Sequence, residues 1–427
     1  MKLTVNSVEK IEGNLKVPGD KSISHRGLIL SSLAEGKSRI SGLLEAEDCM
    51  KTLNIMRELG IKIDKKGSGE YIVHGKGLEE LQEPDCVLDC GNSGTSMRLL
   101  SGVLAGQNFY TVISGDSSLR KRPMERVKQP LIQMGAKIWS RREGLAPLSI
   151  KGGNLSGGFF KQDVASAQVK SCILLAGLFA RGPTTVVEPA ASRDHTERML
   201  EAAGINITVD DNVIKLADRS GKIKSLDLSV PGDISSAAFL LGAALIVPRS
   251  RIKISNVGIN PTRSGLLEVL EEMGAKINLS CHRSASGEPT ADIEAVTSNL
   301  QAVEIAGDII PKLLDEIPII SILATQAEGK TVIRDAEELR VKETDRLSAM
   351  ADIIDKLGGD VKELQDGLII TGPTKLTGNI SLASHYDHRI AMSAAVAGLI
   401  AEGPVEIDNS EVINTSFPEF IEIIQNF

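Results

Sequence analysis

Met134-Gly135-Ala136-Lys137-Ile138 returns letter for letter as Met273-Gly274-Ala275-Lys276-Ile277. Close variants stand at Leu59-Gly60-Ile61-Lys62-Ile63, Ala203-Gly204-Ile205-Asn206-Ile207 and Leu357-Gly358-Gly359-Asp360-Val361. A charged amphipathic stretch precedes each glycine, and an alternating apolar and polar run follows it. The glycine stands where a helix C-terminus needs a left-handed residue. The spacing therefore predicts a surface helix ending there and a strand starting directly after it. A sixth helix of this kind begins after Phe417-Pro418.

A second kind of segment alternates with the first. It is rich in small apolar residues, closes on a glycine or proline turn, and leads into a β-branched strand. Copies lie at 24–35, 93–105, 165–180, 235–247, 317–327 and 388–401. Their spacing of about 70 residues, longer for the fourth, is that of a repeated supersecondary unit. Small residues on every face mark a buried helix, whereas the charged helices cover the surface. Each unit reads strand, apolar helix, strand, charged helix, strand, strand, and six units divide into two groups of three. The division is marked by Val17-Pro18-Gly19-Asp20, which recurs as Val230-Pro231-Gly232-Asp233. These two places read as paired hinges or crossovers.

A length of 427 residues suits two or three domains, and 42% hydrophobic with 24% charged residues describes an ordinary globular protein. A net charge of -8 and only 3% aromatic residues argue against nucleic-acid binding, which needs a basic surface and stacking rings. An acidic protein that binds anions must do so through a local basic cluster. Met1–Lys10 lacks a signal-peptide core, and the apolar runs at 237–247 and 390–400 are too short to span a membrane. The five cysteines are scattered without a CxxC pair, and Cys86 and Cys90 read as buried or strand-end thiols. Together these features predict a reduced, soluble, cytoplasmic protein.

The polar residues collect where the apolar helices begin. Lys21-Ser22-Ile23-Ser24-His25-Arg26 opens the first, and Asp89-Cys90-Gly91-Asn92-Ser93-Gly94-Thr95-Ser96-Met97-Arg98 leads into the second. Ser166-Ala167-Gln168, Asp315-Glu316 and Asp387-His388-Arg389 stand at three others. Leu119-Arg120-Lys121-Arg122-Pro123, Ser192-Arg193-Asp194-His195 and Arg340–Arg346 add further charge. Any one of these alone reads as a solvated turn or a charged helix face, and Arg120 and Lys121 are read so. Their joint placement at equivalent ends favours an anion-attracting surface, where helix dipoles and cationic side chains add. Gly36-Lys37-Ser38 and Gly329-Lys330-Thr331 lack the upstream glycine of a nucleotide-binding loop and read as turns. The histidines are isolated from further ligands, so no metal site is expected. No Ser-His-Asp pattern stands out, which leaves acid–base chemistry by carboxylates and lysines.

The strings Pro18–Arg26, Gly91–Thr95, Lys121-Arg122-Pro123, Arg340–Arg346, Asp387-His388-Arg389 and Thr415-Ser416-Phe417-Pro418 together resemble the EPSP synthase family, the 3-phosphoshikimate 1-carboxyvinyltransferases. The resemblance covers the whole chain. It implies an α/β (α+β) fold, a two-domain inside-out α/β barrel with three βαβαββ repeats per domain. Residues 1–20 and 231–427 would form one domain and 21–230 the other, with the active site in the interdomain cleft. The implied reaction transfers the enolpyruvyl group of phosphoenolpyruvate to the 5-hydroxyl of shikimate 3-phosphate by addition and elimination. In the implied roles Asp315 accepts the hydroxyl proton, Glu343 protonates the methylene, and Lys21 bridges both substrates. Arg122, Arg346 and Arg389 hold phosphoenolpyruvate, with Gly94, Lys21 and Gln168 beside it. Ser22, Arg26, Ser166, Gln168, Arg193, Lys342, Asp315 and Lys21 hold shikimate 3-phosphate. No metal or organic cofactor is implied, and a monomer is expected.

Ala167 stands where the best-known branch of the family has a second serine, and Thr415 where it has a lysine. Ser192-Arg193-Asp194-His195 follows another branch, in which arginine serves the phosphate. Some members of that branch carry alanine at the position of Gly94, which crowds out glyphosate; with glycine retained here, glyphosate is the expected inhibitor. One alternative is the enolpyruvyl transferase acting on UDP-N-acetylglucosamine, whose usual reactive cysteine is missing from Gly115–Arg122. Another is a non-catalytic anion-binding protein on the same scaffold, against which the retention of Asp315 and Glu343 argues.

Overall fold

The computed structural model describes residues 1–218 and 222–427. All five repeated glycines adopt left-handed backbone, with φ from +75° at Gly274 to +111° at Gly135. Each lets its helix end by turning two N–H groups back onto carbonyls. Gly60 donates to Arg57 and Ile61 to Met56, and Gly274 and Ala275 repeat the pattern with Glu271 and Leu270. A side chain at these positions would strain the turn, which is why the glycine recurs.

The six apolar segments are helices: α1 (Lys21–Leu33), α2 (Gly94–Ala105), α3 (Ala167–Gly177), α4 (Ile234–Ile246), α5 (Ile317–Ala324) and α6 (His388–Gly398). Twelve of the thirteen residues of α4 are buried, because small side chains leave no face that must stay wet. The charged helix Glu125–Gln133, by contrast, buries only Val127 and Leu131 of its nine residues. That difference places the first kind inside and the second outside.

The buried helices α2, α3, α5 and α6 each cross between two parallel strands of one sheet. Leu88–Asp89 pairs in parallel with Tyr110–Ser114, and α2 connects them. Tyr110–Ser114 then pairs antiparallel with Leu148–Lys151, which pairs antiparallel with Lys137–Trp139. The same order recurs in five four-stranded sheets, and a sixth sheet has three strands. In three sheets a strand comes from far along the chain. Asp227–Ser229 joins Glu35–Ser41, Glu12–Leu15 joins Arg251–Gly258, and Lys2–Val5 joins Val405–Asp408.

The chain divides into two compact units. Met1–Pro18, Pro231–Arg283 and Pro289–Phe427 form the first, and Gly19–Val230 with Ser284–Glu288 the second. Each has its own apolar core. The grouping of 284–288 with the second unit is not foretold by the repeat pattern.

Two expectations need correction. Gly36-Lys37-Ser38 and Gly329-Lys330-Thr331 are not turns but lie in the strands Glu35–Ser41 and Gly329–Ile333. Their glycines, at φ +101° and +109°, let the chain turn into the ladder at the start of each strand. Cys86 is exposed, whereas Cys90 at the end of its strand is buried.

Candidate active site

In the second unit the entrances of α1, α2 and α3 come together. Asp20 caps α1 by accepting the Ile23 N–H at 2.8 Å, and Ser93 and Ser166 cap α2 and α3 with their hydroxyls. Each such cap contributes about 1 kcal/mol to its helix. Gln168 donates its side-chain amide to Thr95 Oγ1 at 2.9 Å and accepts from Arg98 Nη1 at 2.6 Å, tying α3 to α2. Arg26 ties α1 to α3. Its Nη2 donates to Ser171 Oγ and its Nε to Thr196 Oγ1, both at 2.7 Å, while Nη1 returns to the Ser22 carbonyl at 3.0 Å.

Arg26 is 3% exposed, and its bonds go to hydroxyls and a carbonyl rather than a carboxylate. Burial pulls its guanidinium down to about 10; Glu197 opposes this, and the neighbouring positive charge of Arg193 adds to it. Arg193 is half-buried, and neighbouring guanidiniums of this kind can attract an anion. Lys21, the first residue of α1, donates to Asp48 Oδ2 at 3.1 Å. His25 lies fully buried with Nδ1 2.7 Å from Thr52 Oγ1. Burial, then Lys21 and Arg26, hold its imidazole well below the usual histidine range, so it is neutral at pH 7.

Arg122 donates from Nη2 to Asn92 Oδ1 at 2.7 Å. Gly94 is the first residue of α2, and a Cβ built there would lie 3.0 Å from Arg98 Nη1 and 3.3 Å from Arg122 Nη1. Bare backbone at Gly94 therefore lets two guanidiniums converge on a helix N-terminus.

In the first unit the entrances of α4, α5 and α6 come together around carboxylates. Arg346 is 2% exposed and opens the helix Arg346–Lys356. Its Nε donates to Asp387 Oδ2 at 2.7 Å, its Nη1 to Asp315 Oδ1 at 3.1 Å, and its Nη2 to Glu343 Oε2 at 2.7 Å. Burial alone would lower its pKa, but Asp387, Glu343 and Asp315 outweigh that and hold it well above the usual arginine value. The other oxygen of Asp387 caps α6 through the Arg389 N–H at 2.8 Å. Arg389 in turn donates from Nη1 to the Asp315 carbonyl at 3.2 Å, with its Nε 3.6 Å from the Asp315 carboxylate.

Arg263, on a loop that carries no catalytic motif, is buried behind this cluster. It donates from Nη2 to Ser235 Oγ at 2.6 Å and lies 3.2 Å from Asp233, 3.4 Å from Glu316 and 3.9 Å from Asp315. Partly buried Lys342 is held below the usual lysine range by burial, against the pull of Asp315 and Glu338. The cluster thus places two carboxylates, Asp315 and Glu343, on the outer nitrogens of one planar guanidinium, beside Lys342 and Arg389. Such an array can accept a proton at one point and donate at another.

The sequence-derived residues therefore gather as two sets. Lys21, Ser22, Arg26, Gly94, Arg122, Ser166, Gln168 and Arg193 belong to the second unit, and Asp315, Lys342, Glu343, Arg346 and Arg389 to the first. Asp48, Arg98 and Arg263 join them from outside the expected list. Arg98 lies within a quoted motif, but nothing in the sequence marks Asp48 or Arg263 as partners of Lys21 or Glu316. Among the described residues no group of three or more His, Cys, Asp or Glu side chains could hold a metal. No helix there is long and apolar enough to cross a membrane.

A family profile described as EPSP synthase (3-phosphoshikimate 1-carboxyvinyltransferase) matches residues 5–424. A protein of Petrotoga mobilis named 3-phosphoshikimate 1-carboxyvinyltransferase is 51% identical over 427 residues, covering 100% of this chain and 99% of the relative. One of the same name from Bacillus subtilis is 48% identical, covering 98% of this chain and 97% of the relative. The solved EPSP synthase of Acinetobacter baumannii superposes with a TM-score of 0.90 at 44% identity, covering 100% of this chain and 98% of that one. The enolpyruvyl transferase NikO of Streptomyces tendae shares the fold, with a TM-score of 0.82 at 17% identity over 100% of this chain and 97% of that one.

Proposed function

The chain belongs to the EPSP synthase family, the 3-phosphoshikimate 1-carboxyvinyltransferases, and we propose how its residues divide that reaction among themselves. The transfer joins the 5-hydroxyl oxygen of shikimate 3-phosphate to C2 of phosphoenolpyruvate while C3 gains a proton. The resulting tetrahedral intermediate then loses inorganic phosphate and one methyl proton. Asp315 takes the hydroxyl proton, Glu343 delivers the proton to C3 and later removes one, and Lys21 lies against both substrates. Arg122, Arg346 and Arg389 hold the carboxylate and phosphate of phosphoenolpyruvate, with Gly94 and Gln168 lining its place. Arg26 and Arg193 receive the phosphate of shikimate 3-phosphate, and Ser22, Ser166, Gln168 and Lys342 complete its binding.

One observation carries this reading: a single guanidinium, Arg346, bonds both Asp315 and Glu343. Its rigid fork fixes the spacing of a base and an acid, and three of its five N–H groups are used by carboxylates, leaving two for a ligand. Phosphate release with phosphoenolpyruvate and either shikimate 3-phosphate or UDP-N-acetylglucosamine tests the reading. Release occurs only with the shikimate acceptor. Asp315→Ala and Glu343→Gln each lower kcat by about 100-fold or more while still binding shikimate 3-phosphate, as expected for general acid–base groups. Loss of binding in both, with the fold intact, means that the acid and base are wrongly assigned.

Glyphosate inhibition belongs to the same proposal. The space kept open at Gly94 supports it, since a methyl there would press on Arg98 and Arg122. Gly94→Ala raises the glyphosate inhibition constant by about 10-fold or more, the loss of one or two good polar contacts. An unchanged constant removes Gly94 from the ligand's path. A monomer in the cytoplasm completes the proposal, and sedimentation checks the monomer.

A further inference from the structure

We propose that Lys170 is a positioning residue that fixes the loop carrying Arg193 and so sets the affinity for the phosphate of shikimate 3-phosphate. The inference rests on the role given above to Arg193. Lys170 lies in the first turn of α3, among buried apolar and small residues, and is itself 1% exposed. An ammonium group has three N–H donors and no acceptor. Three oxygens stand around this one: Glu188 Oε2 at 2.7 Å, Glu197 Oε1 at 2.7 Å and the Ser192 carbonyl at 3.3 Å. In sequence those acceptors lie on both sides of Arg193, and one belongs to the residue directly before it.

Residues 189–193 form no helix or strand, between the Glu188 N–H bonded to the Asn212 carbonyl and the Asp194 carbonyl bonded to the Arg198 N–H. The Glu188 side chain holds this stretch. Its Oε1 accepts the Ser192 hydroxyl, and its Oε2 lies 3.5 Å from the Ser192 amide nitrogen. Immediately beyond Arg193 and the helix start, Thr196 Oγ1 meets Ser171 Oγ and Arg26 Nε, each at 2.7 Å. Adjacent residues of α3 therefore do adjacent jobs: Ser171 steadies Arg26, and Lys170 steadies the backbone of Arg193. A buried lysine between two glutamates adds little stability over a well-packed apolar core, but it fixes one arrangement of the groups it binds.

Steady-state phosphate release tests this, with shikimate 3-phosphate varied at saturating phosphoenolpyruvate. Arg193→Ala raises the KM for shikimate 3-phosphate by about 100-fold, the loss of a charge-assisted contact. Lys170→Met raises it by about 10-fold or more and Ser192→Ala, which cuts only the hydroxyl bond to Glu188, by about 3-fold. In both, kcat and the KM for phosphoenolpyruvate stay within about 2-fold of wild type. In an Arg193→Ala background neither substitution adds a further increase, because all three act through one contact. If Lys170→Met does not fold, Ser192→Ala alone and in that background decides the matter. Multiplying effects, or an unchanged KM in folded Ser192→Ala while Arg193→Ala raises it, overturns the proposal. An unchanged KM in Arg193→Ala overturns the reading of Arg193 instead, and this inference falls with it.

Discussion

Arg26 and Arg346 are both buried arginines at helix entrances, yet their surroundings are opposite. Arg346 bonds three carboxylates and is held well above its ordinary pKa, whereas Arg26 bonds hydroxyls and a carbonyl and sits at about 10. The first is a compensated cation whose charge organises the protein's own acids. The second has no carboxylate among its hydrogen-bond partners, and the charges of Glu197, Asp20 and Glu288 only partly offset the burial that lowers it. The difference teaches that burial alone does not tell a structural arginine from a receptive one; the charge of its partners does.

Removing each charge tests that contrast most strongly. Arg346→Met removes the cation shared by Asp387, Glu343 and Asp315, leaving Arg389 and Arg263 beside Asp315, and costs about 3–5 kcal/mol in urea unfolding. Arg26→Met leaves only neutral hydroxyls and a carbonyl unbonded, for about 1–2 kcal/mol. Equal losses from the two would end the distinction.

A smaller effect appears on acidification. His25 has its folded pKa below the ordinary value, so as pH falls the unfolded chain takes the proton first. Its contribution is complete above pH about 6.5 and is lost at up to about 1.4 kcal/mol per pH unit below it. His25→Asn, compared with wild type by denaturant unfolding between pH 7 and 5, removes that part of the slope. A slope unchanged in the variant means that burial and the cations around α1 do not keep His25 neutral as described.

The smallest effect concerns how the chain enters the two clusters. Pro18-Gly19 leads into α1, whereas α6 is approached through His385 and Tyr386 at φ +52° and +57°. Tyr386 is 73% exposed and has little packing to lose, so Tyr386→Gly raises stability by about 0.5–1 kcal/mol. A calorimetric midpoint that does not rise shows that this entrance stores no backbone strain.

The repeat was legible in the sequence because its signals are local. A left-handed glycine after an amphipathic helix, as at Gly135 and Gly274, means the same thing wherever it stands. The polar starts of the apolar helices were equally readable, and Asp20, Ser93, Ser166 and Asp387 among them are the caps. The ion-pair partners were not, since Lys21 with Asp48 and Arg346 with Asp315 are joined only by tertiary packing. Arg263 sits in an unremarked Pro-Thr-Arg loop, and the same is true of its link to Glu316. Lys170 did leave a trace, a charge inside an otherwise apolar helix, but only the structure gives its three acceptors.

The strand exchanges have a consequence for biosynthesis. The second unit is almost one continuous stretch, and its closing strand, Asp227–Ser229, returns to Glu35–Ser41 well before the last strands of the first unit are made. The first unit pairs Lys2–Val5 with Val405–Asp408, so that strand has no partner until the chain has grown as far as Val405–Asp408. Domains fold as units and in the order in which they emerge. The strand Lys2–Val5 must therefore wait unpaired while the second unit is already built.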